Sequence, residues 1–282
     1  MNRKNYYQNI KEPIEILHYF TTETIDNPFH FHDNYEVNIF LSGDADIYVE
    51  QSCYHLKRGH LFIFNDKEIH KCTHYGKEPY DRLIIHFNPG LAYGLSVDKM
   101  NLLSCFQNRE IGTNNAVLLT ESQIRELCDI FGKFEYYYKA ASYGREVLMQ
   151  AYLSILLVFV NKAFAENENI QPLTSQNSIL SILSYINENL CKEMTLDSIA
   201  KDFSIDRYYL CHLFKKQTGT TLYQYILMKK ITVAQQHLLE GRTVTEACLL
   251  SGFNDYTNFI RSFKNVTGIS PGKYKSQKLK TP

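Results

Sequence analysis

The chain has 282 residues, with 30 Lys+Arg against 30 Asp+Glu, 44% apolar residues and no tryptophan. Its length suggests about two domains, and its 13% aromatic residues exclude intrinsic disorder, which requires few aromatics and a high net charge. No unbroken apolar run reaches the roughly 18 residues of a membrane span, the N-terminus has no apolar signal-peptide core, and the seven cysteines form no C-x-x-C pair. We therefore expect a cytoplasmic protein with no membrane partner and no structural zinc or disulfide.

Charge is divided unevenly along the chain. From residue 171 to the end there are 14 Lys+Arg and 8 Asp+Glu, a net charge of +6, and residues 1–170 carry the opposite −6. A cationic C-terminal region joined to an acidic one indicates a polyanion-binding module attached to a second function.

The segment 29–90 is predicted to form β-strands. Short runs of β-branched and aromatic residues at 36–41, 45–49, 61–64 and 82–87 are separated by turn-forming residues. Strands of this length and spacing are typical of a small all-β barrel or sandwich.

The hydrophobic pattern changes to a helical period near residue 120. Thr120 and Gln123 are spaced as an N-cap and its partner in the first turn, and apolar residues follow at helical spacing as far as Phe134. A second helix is predicted at about 142–166, and its apolar stripe is wider than packing on one side requires. The helix pair either packs within one chain or also buries the same pair of a second subunit; the sequence leaves both open.

A polar stretch at 166–172, broken by a proline, is predicted to be a linker. The chain beyond it is predicted to be helical, with glycines at 219, 241, 252 and 268 as helix ends.

Two segments of this helical region, 206–219 and 255–268, align at a spacing of 49 residues, with Asp, Phe, Lys, Thr and Gly in register. Each has an aspartate suited to capping the start of a helix and a glycine suited to ending it. Each follows a shorter predicted helix, with N-caps at Thr195 and Thr243. A short helix, a tight turn and a longer helix form a helix-turn-helix unit, which occurs here twice.

The longer helix of each unit is predicted to bury one face and present the other to the major groove of DNA. Tyr209, Leu210, Leu213 and Phe214 are expected inside in the first unit, and Phe259, Phe263 and Val266 in the second. Outward residues supply contacts to bases and phosphates, and they are Arg207, Tyr208, Cys211, His212, Lys215 and Lys216 in the first unit and Tyr256, Thr257, Ile260, Arg261 and Lys264 in the second.

Arg261 is the candidate for bidentate reading of a guanine, and the lysines are candidates for phosphate contacts. The alternative interpretation is a solvated helix face, which fits most single charged helices, but two aligned copies favour DNA. The helix predicted at 222–239 would be about 27 Å long. Such a connector would let the two reading helices enter successive major grooves, about 34 Å apart.

This region resembles the AraC/XylS family of bacterial regulators over about 100 residues, 178–275. The resemblance lies in residues Ile199-Ala200, Tyr209-Leu210, Leu213-Phe214-Lys215-Lys216, Thr218-Gly219, Gly252-Phe253, Phe259, Phe263-Lys264, Gly268 and Ser270-Pro271-Gly272-Lys273-Tyr274. The chain departs from the family pattern at Ala247-Cys248, at Thr221-Leu222 where a proline is common, and at His212 where an arginine is frequent. The last departure puts guanine reading by the first unit in doubt and suggests contacts that are weaker or pH-dependent.

Histidines near the start of the barrel resemble the cupin motif H-x-H-x-x-x-E-x6-G, as His30, His32, Glu36 and Gly43. His70, eleven residues after Gly59, resembles the histidine of the second cupin motif, although Asn65 and Lys67 stand where that motif has proline and glycine. Three imidazoles and a carboxylate suit a divalent metal. Sensor barrels of AraC-type regulators often carry the same pattern around a small effector, so His30, His32, Glu36 and His70 are expected to line an effector pocket, with metal-dependent catalysis and a structural role as alternatives.

The resulting prediction is an α+β multidomain protein. Residues 1–100 form a cupin-like effector-sensing β-barrel, 101–170 a helical segment for dimerisation and linking, and 171–282 an all-α double helix-turn-helix. The predicted function is sequence-specific transcription regulation controlled by a small effector such as a sugar, with double-stranded DNA, a second copy of the chain and RNA polymerase as candidate partners. We expect no catalytic residues, no metal and no cofactor. A metal-dependent cupin enzyme with an accessory helical domain and a non-specific architectural DNA-binding protein are the competing classes.

Overall fold

The computed structural model describes residues 7–8, 10–95, 100–140, 143–173, 178–192 and 194–278. Its strands are β1 (Ile14–Thr21), β2 (Ile25–Asp26), β3 (Tyr35–Ser42), β4 (Ala45–Val49), β5 (Ser52–His55), β6 (His60–Phe64), β7 (His70–His74), β8 (Tyr80–Phe87) and β9 (Ala116–Leu118). Its helices are α1 (Pro89–Tyr93), α2 (Ser104–Gln107), α3 (Glu121–Lys139), α4 (Arg145–Glu166), α5 (Ser178–Asn189), α6 (Leu196–Asp202), α7 (Arg207–Thr218), α8 (Leu222–Leu239), α9 (Val244–Leu250), α10 (Tyr256–Thr267) and α11 (Pro271–Lys278).

The strands form two sheets that face each other. One has the order β1-β8-β3-β6-β9 and the other β2-β7-β4-β5, and every strand pair in them is antiparallel. The β-barrel predicted for this half of the chain is confirmed. Because β9 pairs with β6, the larger sheet continues beyond residue 100, where the sequence placed the end of the barrel.

Alternation along the strands of the larger sheet separates two environments. On β8, Leu83, Ile85 and Phe87 pack against the helices α1 to α4, whereas Ile84 and His86 face the smaller sheet across a cavity. This period of two is what a sheet covered on both faces requires.

Helices α3 and α4 cover the outer face of the larger sheet. Thr120 caps α3 in a capping box with Gln123, as predicted. Leu153, Leu156 and Val160 of α4 are buried against the sheet. Within the described residues, α4 is the one helix whose length and hydropathy would also suit a membrane span; one of its faces packs on the sheet and another is exposed.

The segment predicted to be a linker, residues 166–172, is hydrogen-bonded to the barrel. Asn169 bridges to Val117, and Ile170 N donates to Ala116 O at 2.9 Å. Leu173 N donates to Cys53 O at 2.7 Å, so the barrel holds this stretch at least as far as Leu173.

The C-terminal helices form the two predicted helix-turn-helix units, α6-α7 and α9-α10, with α8 between them. Thr195 and Thr243 cap the short helices, and both sit in capping boxes. The prediction for Tyr209 was wrong, since this side chain is 55% exposed and Leu210 alone of the two enters the core. The cause is the helical period, which turns residue 209 about 100° away from residue 210.

The two halves of the chain are packed together. Phe29, Phe31 and Ile69 of the barrel half belong to the hydrophobic core of the C-terminal domain, and the ring of Phe29 lies 5.3 Å from that of Tyr225 on α8. Helix α8 therefore joins the two DNA-binding units to each other and also seats them on the barrel.

Candidate effector cavity and DNA interface

A cavity of about 200 Å³ lies between the two sheets of the barrel. On the larger sheet, the cavity is lined by every second residue of three strands. These residues are Leu17 and Tyr19 from β1, Glu36 and Asn38 from β3, and Arg82, Ile84 and His86 from β8. The opposite wall includes His30, Ile47, His70 and Cys72. The cavity lining thus combines apolar side chains with charged and hydrogen-bonding groups.

A buried cluster of imidazoles surrounds Glu36 at one end of the cavity. Glu36 Oε2 lies 3.1 Å from His32 Nε2, 3.2 Å from His86 Nε2 and 3.4 Å from His70 Nε2. Asn38 Nδ2 donates to Glu36 Oε1 at 3.2 Å. Each of these four partners is more than nine-tenths buried, so the carboxylate is held inside the barrel rather than at its mouth.

Electrostatics fix the charges of this cluster. Burial opposes ionisation of Glu36, but the nearby His86 charge and hydrogen bonds from His32 and His86 hold its pKa well below the usual range. Burial opposes the charged form of His86. The charge of Glu36 and the hydrogen bond to Glu15 outweigh this effect of burial and raise the pKa of His86 to about 9. Burial lowers the pKa of His32. The cluster therefore contains an ionised carboxylate paired with an imidazolium at His86.

The same atoms fit a divalent metal. Ligand atoms of His32, Glu36 and His86 lie within 4.8 Å of one another. The Nδ1 atoms of His32, His70 and His86 face acceptors, Asn34 O, Glu68 O and Glu15 Oε2, at 2.7, 3.0 and 3.0 Å. Histidines that bind metals are oriented in this way by an acceptor on the second ring nitrogen. The donor set is one that Fe, Mn, Ni or Zn accepts.

Three of the four residues predicted for the effector site come together in the structure, and His86, which was not predicted, joins them. His32, Glu36 and His70 meet, whereas His30 turns its Nδ1 to Pro28 O at 3.1 Å and packs its ring 4.5 Å from that of His70. His86 was given no role from the sequence. In the sequence, the alternation along 82–87 shows only that the His86 side chain faces the same side as Ile84. Its contact with Glu36 follows from the register of β3 and β8, which pairs the two residues.

The first DNA-reading helix, α7, presents an exposed N-terminal half. Asp206 caps it by accepting from Tyr208 N and Tyr209 N, and Gly219 ends it in the left-handed conformation at φ 72°. Tyr208 is 83% exposed, and Arg207, His212, Lys215 and Lys216 are also exposed. Cys211 is half-buried.

The second reading helix, α10, repeats these features. Asp255 caps it by accepting from Asn258 N, and Gly268 ends it at φ 84°. Tyr256, Thr257, Arg261 and Lys264 are exposed, and Ile260, which the sequence placed outside, is half-buried against the core.

Two residues that the sequence did not single out orient the arginines of these helices. Asn258 Oδ1 accepts from Arg261 Nη2 at 3.2 Å, and Asp197 on α6 pairs with Arg207 at 3.1 Å. Both contacts are at the surface, where ion pairs and hydrogen bonds to water exchange readily, so each arginine is positioned without being locked.

The barrel with its internal cavity and the paired helix-turn-helix units define a ligand-responsive DNA-binding regulator. Residues 13–129 match the model of an AraC-like ligand binding domain, and residues 199–277 match that of a helix-turn-helix domain. Both matches fall on the parts of the structure described above.

Relatives of known name agree with these matches. The chain is 34% identical over 102 residues to the transposon Tn10 TetD protein of Escherichia coli, covering 36% of this chain and 74% of that protein. It is 32% identical over 103 residues to the multiple antibiotic resistance protein MarA of E. coli K12, covering 36% and 81%, and 21% identical over 260 residues to the probable transcriptional regulator LumQ of Photobacterium leiognathi, covering 90% and 95%. The chain belongs to the AraC/XylS family of transcriptional regulators, with an N-terminal ligand-binding domain and a C-terminal helix-turn-helix DNA-binding domain.

Solved structures give a weaker likeness. ToxT of Vibrio cholerae, in complex with (E)-4-(8-methylnaphthalen-1-yl)but-3-enoic acid, aligns with a TM-score of 0.38 at 14% identity, covering 94% of this chain and 99% of that one. A protein of unknown function from Listeria innocua aligns with a TM-score of 0.34 at 33% identity, covering 35% and 95%. The sequence relatives, and not these structures, show the family.

Proposed function

We propose that this regulator reads a specific operator with α7 and α10 in successive major grooves. The observation that supports this most directly is that both helices have the same cap, the same glycine end and an exposed basic face, and that one continuous helix, α8, joins their units. The reading residues proposed are those named from the sequence, with Cys211 and Ile260 as apolar contacts at the edge of the exposed face.

The experiment that tests this begins with the protein's own genome. Promoter fragments retained by the purified protein are sequenced, and the operator is footprinted. A protected region covering two successive turns of one DNA face is expected. A footprint of one turn, or equal affinity for every duplex, would favour a single reading unit or non-specific architectural binding instead.

The effector is proposed to bind in the barrel cavity, in contact with His30, Glu36 and His70, with His32 and His86 orienting Glu36. Glu36 and His70 border the cavity and are almost completely buried, so a bound molecule would lose its water there and depend on these groups for hydrogen bonds.

The structure suggests how occupancy of the cavity could reach the DNA-binding domain. The backbones of His30 and His70 are paired by two hydrogen bonds of 3.0 Å. Their side chains face the cavity, while the neighbouring side chains of Phe29, Phe31 and Ile69 enter the core of the C-terminal domain. A ligand that shifts the paired segments would therefore also shift the seat of α8. An effector acts only if its affinity differs between the two arrangements.

We also propose a homodimer formed through α4. Apolar residues of this helix are not confined to the side that faces the sheet: its exposed face carries Val147, Ala151, Ile155 and Val158 at helical spacing. Val147 is 70% exposed, and Ile155 and Val158 are each 47% exposed. An apolar stripe of this kind is typical of a helix that meets a second helix.

The division into a sensing barrel (1–100), a helical segment (101–170) and a DNA-binding domain (171–282) is proposed with one modification. Pairing of β9 with β6 supports extending the barrel to residue 118. We also propose a cytoplasmic location, because the protein's target is DNA, and RNA polymerase as a partner on the ground of the family alone.

A metal-dependent enzyme is the second candidate function, favoured by the convergence of His32, Glu36 and His86. These residues with His70 would hold the ion, which would supply Lewis-acid chemistry at its open positions. Metal analysis of the purified protein decides between the two. Stoichiometric metal in the wild type that is absent from His32→Ala and His86→Ala would favour the enzyme, and metal-free protein that retains its promoter fragment would favour the effector pocket.

A further inference from the structure

The cavity contains an arginine whose hydrogen-bonding capacity is unused. Arg82 extends from β8 into the cavity, and within the described residues its side chain has no acceptor and no carboxylate partner. Its Nε is fully buried without a hydrogen bond. The guanidinium carbon lies 5.5 Å from the centre of the Tyr19 ring and 5.4 Å from that of Tyr80, so two aromatic faces hold the group in place.

The other charged groups of the cavity are already engaged. Glu36 accepts from His32, His86 and Asn38. The imidazolium of His86 is paired with Glu36, and Lys71 Nζ pairs with Asp26 at 2.8 Å and donates to Gln217 O at 3.1 Å. Arg82 therefore stands out, because within the described residues none of the five N–H donors of its guanidinium makes a hydrogen bond to the protein.

A guanidinium whose Nε is buried without an acceptor lowers the stability of the fold. Such groups persist where a ligand supplies the missing partner, and the planar fork matches a carboxylate with two parallel hydrogen bonds. A neutral sugar offers no charge to offset this cation.

A second group without a hydrogen bond lines the same cavity. His70 is 4% exposed and lines the cavity, and its Nε2 makes no hydrogen bond. Its Nδ1 faces the carbonyl of Glu68 at 3.0 Å, and its Nε2 lies 3.4 Å from Glu36 Oε2. A hydroxyl or amino group of a ligand that reaches this nitrogen would supply the missing hydrogen bond. The apolar side chains of the lining include Leu17, Ile47 and Ile84.

We propose that the effector is a small organic carboxylate that also carries a hydroxyl or amino group. The carboxylate binds in a bidentate manner to Arg82, and the hydroxyl or amino group forms a hydrogen bond with Nε2 of His70. The volume of about 200 Å³ is somewhat larger than the ~150 Å³ cavity that holds benzene, which sets the size of the molecule. This inference rests on the proposed effector function of the barrel and specifies its ligand.

The test uses the full chain and matched pairs of probes that differ in charge. Gluconate is compared with glucitol, mandelate with mandelamide, and 3-hydroxybutyrate with its amide, by thermal unfolding and by calorimetric titration. Arg82→Gln removes the charge and fork. Arg145→Gln is the control, because Arg145 also lies over a tyrosine, Tyr138, at 5.6 Å but is outside this cavity.

Carboxylate probes should stabilise the wild type and the Arg145→Gln variant more than their neutral counterparts do. Arg82→Gln should weaken carboxylate binding by roughly ten- to hundredfold and leave the ligand-free Tm unchanged or higher, because the unpaired charge is gone. A merely structural role as a brace between Tyr19 and Tyr80 would instead lower the ligand-free Tm.

Three results would overturn the proposal: equal effects of charged and neutral probes, unchanged carboxylate affinity in Arg82→Gln, or no effect of any carboxylate at 50 mM. Retention of the promoter fragment is measured on the same preparations. If the fragment is retained while carboxylates fail, the ligand class alone is wrong; if the fragment is not retained, the proposed regulatory function fails.

Discussion

Glu50 of the barrel and Lys229 of α8 form a buried ion pair between the two halves of the chain, with 2.5 Å between Oε2 and Nζ. The other oxygen of Glu50 accepts from Ile69 N at 2.8 Å. Glu50 is completely buried and Lys229 is 7% exposed. The carboxylate thus contacts both the connector helix and the segment that carries His70.

Removing Lys229 should leave the Glu50 charge buried and unpaired. We expect Lys229→Met to lower the free energy of unfolding by about 3–5 kcal/mol, measured by urea denaturation. The double variant Glu50→Gln/Lys229→Met should recover much of this loss, because neither charge is then buried alone. Losses in the double variant equal to the sum of the single losses would show that the two residues do not interact.

Arg261→Ala should relax specificity at one base pair of the operator. The expected loss is about 1–3 kcal/mol on the operator and much less on random duplex, measured by titration of labelled DNA. Asn258→Ala, which removes the acceptor that holds Arg261, should cause a smaller loss at the same position. Equal losses on specific and random DNA would refute a base-reading role.

Lys264→Ala should act differently, since a phosphate contact carries no sequence information. Binding should weaken on all duplexes, and the slope of log affinity against log salt should become shallower by about one. An unchanged slope would count against phosphate contact. Exposed Lys201 on α6, outside the proposed reading face, provides a control variant.

The homodimer predicts a clear effect at Ile155. A charge placed on the exposed stripe of α4 by Ile155→Asp should convert the dimer to a monomer in sedimentation analysis, with the free energy of unfolding of the monomer little changed. Lys133→Asp, on an exposed position of α3, is the matched control. If the Ile155→Asp variant still sedimented as a dimer, the exposed face of α4 would be excluded as the dimer interface.

Asp66 predicts a pH dependence of stability. Burial raises its pKa to about 6, against the partial opposing effect of Lys67, and its Oδ1 has no hydrogen bond. Since the folded-state pKa is above the unfolded value of 3.8, the unfolded chain loses this proton first. Stability should therefore fall as pH rises from about 4 to about 6 and stay lower above that range.

Asp66→Asn should remove this component. The variant should be more stable than wild type by about 1–2 kcal/mol at pH 8 and indistinguishable from it at pH 4. The difference at pH 8 is limited to this size because water reaches part of the Asp66 side chain and reduces the cost of its charge. Parallel pH profiles of the two proteins would show that another group is responsible.

Local signals in the sequence predicted the elements that carry the DNA interface. The caps at Thr195, Asp206, Thr243 and Asp255 depend on residues no more than three positions apart, and each forms as expected. Strand β1 was missed: its residues Leu17 to Phe20 are largely exposed and give no buried run to detect.

Non-local contacts could not be obtained in this way. His86 joins Glu36 across fifty residues through strand register, and Arg82 is notable only because no described residue accepts from it. The ion pair between Glu50 and Lys229 spans 179 positions. Such pairs are set by how two independently folded parts meet, which hydrophobic periodicity does not encode.

The pairing of the segments around His30 and His70 also limits how this chain can diverge. Ligand contacts and domain contacts alternate there residue by residue, so inserting or deleting a single amino acid would turn histidines into the docking surface and phenylalanines into the pocket. Changes of length in these two stretches are tolerable only in multiples of two, whereas new effector preferences can arise by substitution at every other position without disturbing the seat of the DNA-binding domain.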